Sequence, residues 1–415
     1  MKRKNGTKGA SNGATSSKTT ASPVASAVPG LADARIRIDA LDDEILDLLA
    51  RRANVARDIA DKKRAAALPV FHDPERERRV LERLVDKGGK RFPPDAIRAV
   101  FREVMSACLS VEQPLRVAYL GPEGTFTQLA ARRLFGLQAR YRECATIDGV
   151  FEAVGSKDAT YGVVPFENST EGAVGMTSDA LLEGDLMIRQ EFVLPVAHCL
   201  LSHARSLSQI STVYSHPQAL GQCRSWLAKH LPRAQVVQTT STAAAAREAQ
   251  SDEHSAAIAA AIAAEIHDLP IVRENIQDRA ENATRFVVLA REDAPPTGHD
   301  RTTIAFGVPD GKGALRRVLS VLEDANVNLT RIESRPSRTR AWHYVFLVDL
   351  EGHRRDPAVA RALEAVSKSS DFVKVIGSYP CADRPAAAAV APRAREGKAT
   401  AGRKKSPAPH RPSAR

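Results

Sequence analysis

The stretch RIRIDALDDEILDLLARR, residues 35–52, decides the fold of the N-terminal part of the chain. Its apolar residues recur at the helical spacing of three and four positions, at Ile38, Leu41, Ile45 and Leu48. Arg52 takes the next position of this stripe, and Lys63, 11 residues further on, lies about 20° away around the same helix. Because two cations on a buried face need an anion, the stretch predicts an anion site. The alternative is that both cations reach solvent or pair with Asp73 or Glu77.

Two more helices complete an all-helical block over residues 31–113. Pro74 suits the first turn of a second helix, and Gly88-Gly89 suits its end. A third helix is predicted over residues 94–112, where Glu112 extends an otherwise apolar stripe. Three helices of this kind make a small core alone, so we expect the block to pair with a second copy.

Residues 115–290 alternate short apolar runs with helical patterns, which is typical of an α/β domain. Four of these apolar runs end in a polar or glycine-containing turn that leads into a helix, at residues 121–127, 165–170, 215–218 and 239–242. Free backbone N–H groups at such helix starts bind anions, although ordinary capping explains any single case. Four of them in one domain predict a carboxylate site at the C-terminal edge of the sheet.

Residues 301–380 read as strand, helix, strand, strand, helix, strand, which is the ferredoxin-like βαββαβ plan. The predicted strands cover residues 302–308, 327–335, 341–350 and 372–379, and the predicted helices cover 312–325 and 356–368. Residues 291–301, which contain two prolines and a glycine, are interpreted as the linker before this domain. The chain is therefore expected to be multidomain.

The net charge of +11 is concentrated in two tails. Residues 1–30 hold five basic residues and no acid, and residues 382–415 hold nine basic and two acidic residues, so the body between them is nearly neutral. Both tails are predicted to be disordered. We therefore expect no nucleic-acid partner. Nucleic-acid binding by the two basic tails is the alternative.

Other sequence features favour a cytoplasmic enzyme. The five cysteines form no CxxC pair, and their odd number fits a reducing compartment. Apolar runs are shorter than the ~20 residues that a membrane span needs, so we expect no membrane partner. An organelle transit peptide is the alternative for the acid-poor N-terminus. Because neither GxGxxG nor GxxxxGK[ST] occurs in the required context, we expect no nucleotide cofactor, and we expect no metal.

The helical block resembles the all-helical chorismate mutase family over nearly all of residues 31–113. The resemblance is carried by residues 35–52, Lys62-Lys63, Pro74–Glu77 and Phe101–Glu103. It implies an intertwined dimer in which arginine and lysine side chains bind the two carboxylates and the ether oxygen of chorismate. The residues implied for this site are Arg35 of the partner subunit, Arg52 and Lys63, with Glu77 at the ring hydroxyl and Asp73 and Arg76 nearby.

The implied reaction needs no nucleophile, because chorismate rearranges to prephenate within one molecule. The enzyme must hold a compact dianion and stabilise charge on the ether oxygen, and arginine forks suit carboxylates. Two residues depart from the family pattern. Glu112 stands where many members have glutamine, so we expect it to work protonated and mutase activity to fall as pH rises. Cys108 replaces a small hydroxyl residue, which puts one substrate contact in doubt.

The α/β block resembles prephenate dehydratase. The resemblance is carried by residues 121–126, 165–169, 171–174, 215–218 and 282–289, which include Thr284-Arg285-Phe286. It implies two lobes like those of type II periplasmic binding proteins, with the site in the cleft. We expect one lobe at residues 115–190 plus 270–290 and the other at residues 191–269.

This second resemblance also implies roles for individual residues. Thr284 is expected at the leaving hydroxyl of prephenate, with Glu167 and Asn168 nearby. The expected substrate binders are Ser215, Gln222 and Arg285. A structural ion pair is the alternative for Arg285, and His198 and His216 are expected to be structural.

Residues 301–380 resemble the ACT regulatory domain attached to such dehydratases. The segments that carry the resemblance are Gly313-Ala314-Leu315 and residues 328–336, which include Glu333-Ser334-Arg335-Pro336. Such domains pair and bind phenylalanine between them, so the expected contacts are Gly313, Ala314, Leu315, Asn328, Leu329, Glu333, Ser334 and Arg335. Arg316 departs from the apolar residue that often follows this first segment. A domain that serves only dimerisation is the alternative.

Together these features predict a bifunctional enzyme, an isomerase and a lyase, that converts chorismate to prephenate and prephenate to phenylpyruvate under feedback by phenylalanine. We expect a homodimer or a higher homo-oligomer. An amino-acid-binding regulator is the alternative from another class, and arogenate is the alternative substrate for the second step.

Overall fold

The structure is a computed structural model that describes residues 30–66, 73–89, 91–112, 114–308, 311–336 and 344–382. The two predicted basic tails lie outside these residues, apart from a few at their inner ends. The chain divides into two compact units. One unit holds the first helix and the end of the third from Ala107, and the other holds Pro74–Ser106 and everything from Pro114 onward.

Three helices form the N-terminal block, as their periodicity predicts. They are α1 (Leu31–Ala65), α2 (Pro74–Gly88) and α3 (Pro94–Glu112). The apolar stripe of α1 is open in one copy of the chain, because Ile38, Leu41, Ile45 and Leu48 are each more than half exposed. Among the described residues of its unit, nothing covers this stripe of the 35-residue helix.

The first lobe of the α/β block is built on a sheet with the order β2-β1-β3-β11-β5, and β4 pairs with β3. Its strands are β1 (Arg116–Leu120), β2 (Arg140–Cys144), β3 (Tyr161–Asn168), β4 (Gly172–Ala173), β5 (Met187–Pro195) and β11 (Ala283–Ala290). Its helices are α4 (Phe126–Phe135), α5 (Ile147–Gly155) and α6 (Gly175–Glu183). Strand β11 follows the second lobe in sequence and runs antiparallel to both of its neighbours.

The second lobe has a sheet of order β10-β6-β9-β7-β8. Its strands are β6 (Cys199–Leu201), β7 (Thr212–Ser215), β8 (Gln235–Gln238), β9 (Ser255–Ala259) and β10 (Ile271–Arg273). Its helices are α7 (Pro217–Gln222), α8 (Arg224–His230), α9 (Thr242–Ala249) and α10 (Ala261–His267). Strand pairing places both lobe boundaries a few residues away from the predicted ones at 190/191 and 269/270. Strand β5 belongs to the first sheet up to Pro195, and β10 pairs with β6 in the second sheet.

The C-terminal domain has the predicted βαββαβ order, with a four-stranded antiparallel sheet ordered β13-β14-β12-β15. Its elements are β12 (Asp300–Gly307), α11 (Ala314–Asp324), β13 (Leu329–Pro336), β14 (Tyr344–Glu351), α12 (Pro357–Ser369) and β15 (Phe372–Pro380). One face of its sheet shares a hydrophobic core with the first lobe, where Leu347 and Ile376 join Ile188 and Val287. Gly377 lies against the backbone of Ile188 so closely that a Cβ atom there would come within 2.3 Å of its carbonyl oxygen.

Within the described ranges, none of the helices combines the length and the apolar character that a membrane crossing requires.

Candidate active site

A cavity of about 310 Å³ opens between the two lobes of the α/β block. All four of the predicted segments contribute residues to its wall, but only three of them lead directly into a helix. In the fourth, Pro165 and Asn168 lie within β3, and α6 begins only at Gly175. Its lining includes Thr125, Phe126, Thr127, Pro165, Asn168, His198, His216, Gln218, Gln222, Thr240, Ser241, Thr242, Thr284 and Phe286. Parallel strands present their C-terminal ends at one edge of a sheet, and this brings the junctions together.

Helix starts at this wall are capped by side chains. Thr125 caps α4 by accepting from the backbone N–H of Gln128, and Ser241 caps α9 by accepting from the backbone N–H of Ala244 at 2.9 Å. Gly124 allows the two lobes to approach, because it has a φ of +86° and a Cβ there would meet Ala243 at 3.3 Å. The cavity is therefore bounded by hydroxyl groups and by the positive ends of helix dipoles, which suit a carboxylate.

Thr284 and Asn168 face each other across paired strands at the floor of this cavity. The amide nitrogen of Asn168 donates to the Thr284 hydroxyl oxygen at 2.9 Å. The orientation of that amide is fixed, because its oxygen accepts from the backbone N–H of Thr170 at 3.0 Å and from the Thr170 hydroxyl at 2.6 Å. Thr284 thus accepts from Asn168, and its own O–H is left to donate to a ligand.

A chain of side-chain hydrogen bonds continues from this pair to the second lobe. Asn168 also donates to the Asn282 oxygen at 3.2 Å, and Asn282 donates to Oε1 of Gln222 at 3.0 Å. Nε2 of His198 donates to the same Gln222 oxygen at 2.8 Å. Burial lowers the pKa of His198 more than its bond to Gln222 raises it, so the imidazole is held neutral. The network ties both lobes to the Thr284 hydroxyl.

Arg285 does not join this group, because consecutive residues of a strand point to opposite faces of the sheet. Its Nε donates to Glu191 at 2.7 Å, its Nη1 to Asp349 at 2.7 Å and its Nη2 to the Tyr379 hydroxyl at 2.9 Å. Asp349 and Tyr379 belong to the C-terminal domain. The side chain therefore forms the buried structural ion pair that the sequence analysis held as the alternative to substrate binding.

Glu167 and Ser215 also lie away from the Thr284 cavity. Glu167 follows Arg285 to the other face of the sheet, where its carboxylate lies 3.2 Å from Nε of Arg331. Ser215 is fully buried, and its hydroxyl donates to the carbonyl of Ile258 at 2.6 Å. Of the predicted dehydratase residues, the structure thus brings together Thr284, Asn168 and Gln222.

Comparison with known proteins identifies the chain. Family models match in the predicted order: chorismate mutase type II over residues 34–113, prephenate dehydratase over 117–294 and the ACT domain over 302–368. A bifunctional chorismate mutase/prephenate dehydratase of Aquifex aeolicus is 48% identical over 354 residues, which cover 84% of this chain and 98% of that protein. The chain belongs to the bifunctional chorismate mutase/prephenate dehydratase family. The predicted fusion of these two enzymes in one chain is confirmed.

Solved structures match the dehydratase and regulatory domains. A prephenate dehydratase from Arthrobacter aurescens in complex with L-Phe is 36% identical with a TM-score of 0.60, over 64% of this chain and 90% of that chain. A protein described as GqqA, a novel type of quorum quenching acylase, is 32% identical with a TM-score of 0.60, over 64% of this chain and 98% of that chain.

The predicted mutase residues are distributed along all three helices of the mutase domain. On α1, Arg35 is exposed, whereas Arg52 and Lys63 are half-buried. Asp73 precedes α2, and Arg76 and Glu77 lie in its first turn. On α3, Cys108 is buried, and Glu112 is the last residue, whose side chain lies outside the described part of the chain.

The predicted phenylalanine residues lie at the starts of two elements of the ACT domain. Gly313, with a φ of 76°, precedes α11, whose first residues are Ala314 and Leu315. Asn328 precedes β13, which begins at Leu329 and carries Glu333, Ser334 and Arg335. Leu315 and Leu329 pack against the same hydrophobic core. Arg335 reaches the dehydratase lobe, where it donates to Asp179 at 2.8 Å.

Asn282 was not among the predicted site residues, and His198 was expected to be structural, yet both belong to the hydrogen-bond network of Thr284. Both residues have almost completely buried polar side chains, with exposures of 3% and 2%. His198 lines the cavity, and Asn282 hydrogen-bonds to two residues that line it, Asn168 and Gln222. Asn282 stands two residues before Thr284, so the alternation of a strand could have placed it on the cavity side. The contact of His198 with Gln222 joins residues that are 24 positions apart, and it follows only from the tertiary structure.

Proposed function

We propose that this enzyme removes the ring hydroxyl and the ring carboxylate of prephenate in the Thr284 cavity. In this reaction the bond from the ring to its carboxylate breaks and CO2 leaves. The electron pair makes the ring aromatic, and the hydroxyl departs with a proton as water. Aromatisation drives the reaction, so the enzyme must assist departure of the hydroxyl. Thr284 would donate a hydrogen bond to this oxygen, where negative charge develops in the transition state.

The hydrogen-bond direction between Asn168 and Thr284 carries this proposal. Because Asn168 donates to the Thr284 oxygen at 2.9 Å, the threonine proton points to another acceptor. The same contact argues against an acylase of the kind named for the GqqA relative. A nucleophilic threonine needs a base to accept its proton, whereas its neighbour here is an amide donor.

We propose that the mutase reaction takes place in a homodimer built on α1. The exposed apolar stripe of α1 supports this assembly, since a second α1 would cover it. In the dimer, Arg35 of the partner subunit would join Arg52 and Lys63 around the chorismate dianion. A variant with Ile45→Asp places a charge in the stripe, and it should lose mutase activity while its dehydratase activity stays close to that of the parent. Full mutase activity in this variant would argue against α1 as the interface.

The mutase proposal includes a protonated Glu112 at the ether oxygen of chorismate. Mutase activity should then fall as the pH rises and Glu112 loses its proton. A Glu112→Gln variant should keep its activity over the same range, because the amide donates at every pH. If the two pH profiles coincide, Glu112 does not act in this way.

We propose that phenylalanine binds to paired ACT domains and inhibits the dehydratase. The match to the ACT domain over residues 302–368 and the L-Phe complex of the Arthrobacter dehydratase support this regulation. The proposed contacts are Gly313, Ala314, Leu315, Asn328, Leu329, Glu333, Ser334 and Arg335. We further propose a cytoplasmic location, which the five free cysteine thiols support.

One coupled assay tests the proposed reactions. The purified chain is supplied with chorismate, and prephenate and phenylpyruvate are followed with and without phenylalanine. Phenylpyruvate formation that phenylalanine suppresses is the expected result. Accumulation of prephenate would contradict the dehydratase assignment, and arogenate would then be tested as the second substrate.

A further inference from the structure

Two consecutive residue pairs on β3 and β11 have different surroundings. The strand register pairs Thr284 with Asn168 and Arg285 with Glu167. The first pair lies in the dehydratase cavity, and the second faces the ACT domain. A displacement of the second pair must therefore move the first, because they are adjacent along the same two hydrogen-bonded strands.

The ACT domain holds the outer pair through charged contacts. Nε of Arg331 on β13 lies 3.2 Å from the Glu167 carboxylate, and Nη1 of Arg285 lies 2.7 Å from Asp349 on β14. Both guanidinium groups also lie over the ring of Phe166, at 4.8 Å for Arg331 and 5.1 Å for Arg285. The ring, the two cations and their carboxylates form one contiguous cluster, in which each cation has an aromatic ring and an acid as partners.

Burial makes this cluster act as a unit. The side chain of Asp349 is 1% exposed and that of Arg285 is 10% exposed. Burial alone would raise the pKa of Asp349, but the charges of Arg285 and Arg331 and the hydrogen bonds from Thr303 and Arg285 together hold that pKa below its ordinary value. Separation of these charges would leave an uncompensated buried ion, so the outer pair follows the ACT domain when it moves.

Arg331 connects this cluster to the segment proposed to bind phenylalanine. It lies on β13 between Leu329 and Glu333, and its guanidinium also contacts the Glu333 carboxylate. Strand β13 is the edge strand of its sheet, so a ligand that binds there can shift it without disrupting a second strand. A shift of β13 changes the contact between Arg331 and Glu167 directly.

We propose that Arg331 is a positioning residue that transmits phenylalanine binding on β13 to the Thr284–Asn168 pair through Glu167 and Arg285. The inference rests on the proposed regulation by phenylalanine and names the contact that carries it. When phenylalanine shifts β13, Arg331 would carry Glu167 with it and so displace the Thr284–Asn168 pair. Without phenylalanine, Arg285, whose Nη1 lies 3.5 Å from the Glu167 carboxylate, can hold Glu167 in place. The coupling requires that the ligand bind the two positions with different affinity.

A substitution of Arg331 by glutamine tests whether inhibition of the dehydratase can be lost while phenylalanine binding is kept. The Arg331→Gln variant should bind phenylalanine within about threefold of the parent by calorimetry, and its uninhibited dehydratase kcat/KM should stay within about threefold. The phenylalanine concentration for half-inhibition should rise by at least about fivefold, which is the lower range of measured couplings. An Arg331→Lys variant, which keeps the charge opposite Glu167, should recover part of the inhibition.

Arg354 provides a matched control. Its guanidinium lies 2.8 Å from Asp293, so it joins the ACT domain to the segment before β12 without touching β3 or β11. An Arg354→Gln variant should keep normal inhibition by phenylalanine. Equal loss of inhibition in both variants would overturn the assignment to Arg331, because general loosening of the ACT domain would explain it.

Two further outcomes would overturn the inference. Full inhibition of the Arg331→Gln variant would show that the signal does not pass through this contact, and loss of phenylalanine binding would make Arg331 a ligand residue. A parent enzyme that neither binds phenylalanine nor responds to it would contradict the proposed regulation itself. Calorimetry on the parent therefore distinguishes failure of the proposed function from failure of the relay.

Discussion

Replacement of Asn168 by aspartate tests the hydrogen-bond direction on which the dehydratase proposal depends. The Asn168 oxygen accepts from the backbone N–H groups of Thr170 and Glu171 at 3.0 and 3.3 Å and from the Thr170 hydroxyl at 2.6 Å. An aspartate can keep all three contacts, but it has no donor for Thr284 or Asn282. The Thr284 hydroxyl is then expected to turn and donate to the new carboxylate, and prephenate loses its donor.

The expected loss of dehydratase kcat in this variant can be compared with its expected loss of folding stability. Loss of one positioned donor at a site of developing charge costs about 10²–10³ in kcat, or roughly 2.7–4 kcal/mol. The effect on folding is smaller, because the bond to Thr284 reverses and only the bond to Asn282 disappears. One such bond contributes about 0.5–1.5 kcal/mol. The kcat of the dehydratase should therefore fall far more than stability changes.

The assay compares both activities of the same chain. Prephenate conversion should fall by about two to three orders of magnitude in the Asn168→Asp variant. Mutase activity should match that of the parent, which shows that the chain is folded and assembled. If kcat for prephenate stays within about threefold of the parent, Asn168 does not orient the catalytic donor, and the reasoning from hydrogen-bond direction fails.

Three further predictions concern single positions. Thr284→Val should lower dehydratase kcat by about 10²–10⁴ with the mutase unaffected, whereas Thr284→Ser should keep most activity, as steady-state assays of both steps would show. Burial holds the pKa of His198 below its ordinary 6.5, so its contribution to stability is complete above that value and is lost as the pH falls toward the folded-state pKa. Urea unfolding of His198→Gln between pH 7 and 5 should therefore show less acid destabilisation than the parent, and identical slopes would refute this. Gly136→Ala should cost about 1–3 kcal/mol in thermal unfolding, because its Cβ would lie 2.4 Å from Cβ of Ser106 at a φ of +72°. Gly155→Ala, whose Cβ meets nothing within 4 Å, is the control and should be nearly neutral.

The helical bounds and the ferredoxin-like order could be predicted because they follow from local signals. The apolar period of α1 and the proline and glycine at the ends of α2 depend on residues close in sequence, and the structure places the three helices where those signals indicate. The meeting of three helix starts at one cavity could also be predicted, since parallel strands end at a common edge.

The role of Arg285 could not be predicted from its residue type. An arginine beside Thr284 suggests a carboxylate binder, but its acidic partners Glu191 and Asp349 lie 94 and 64 positions away in sequence. Alternation along β11 would have placed it opposite Thr284, but only the tertiary structure shows that the ACT domain covers that face. The contact of Ser215 also depends on the tertiary structure, because its buried hydroxyl donates to the carbonyl of Ile258, 43 positions away in sequence.

The orientation of Arg285 also bears on how prephenate is held. The described residues that line the Thr284 cavity include no lysine or arginine. The ring carboxylate of prephenate loses its charge as CO2 leaves, so a strong ion pair with it would stabilise the substrate more than the transition state and slow the reaction. Helix starts and hydroxyl groups can hold the carboxylate of the pyruvyl side chain and leave the ring carboxylate weakly bound.

Phenylpyruvate keeps the carboxylate of the pyruvyl side chain and lacks the ring carboxylate, so its inhibition constant should lie within about tenfold of the KM for prephenate. If phenylpyruvate binds more than about a hundredfold more weakly, the ring carboxylate is strongly held and this account of the cavity is wrong.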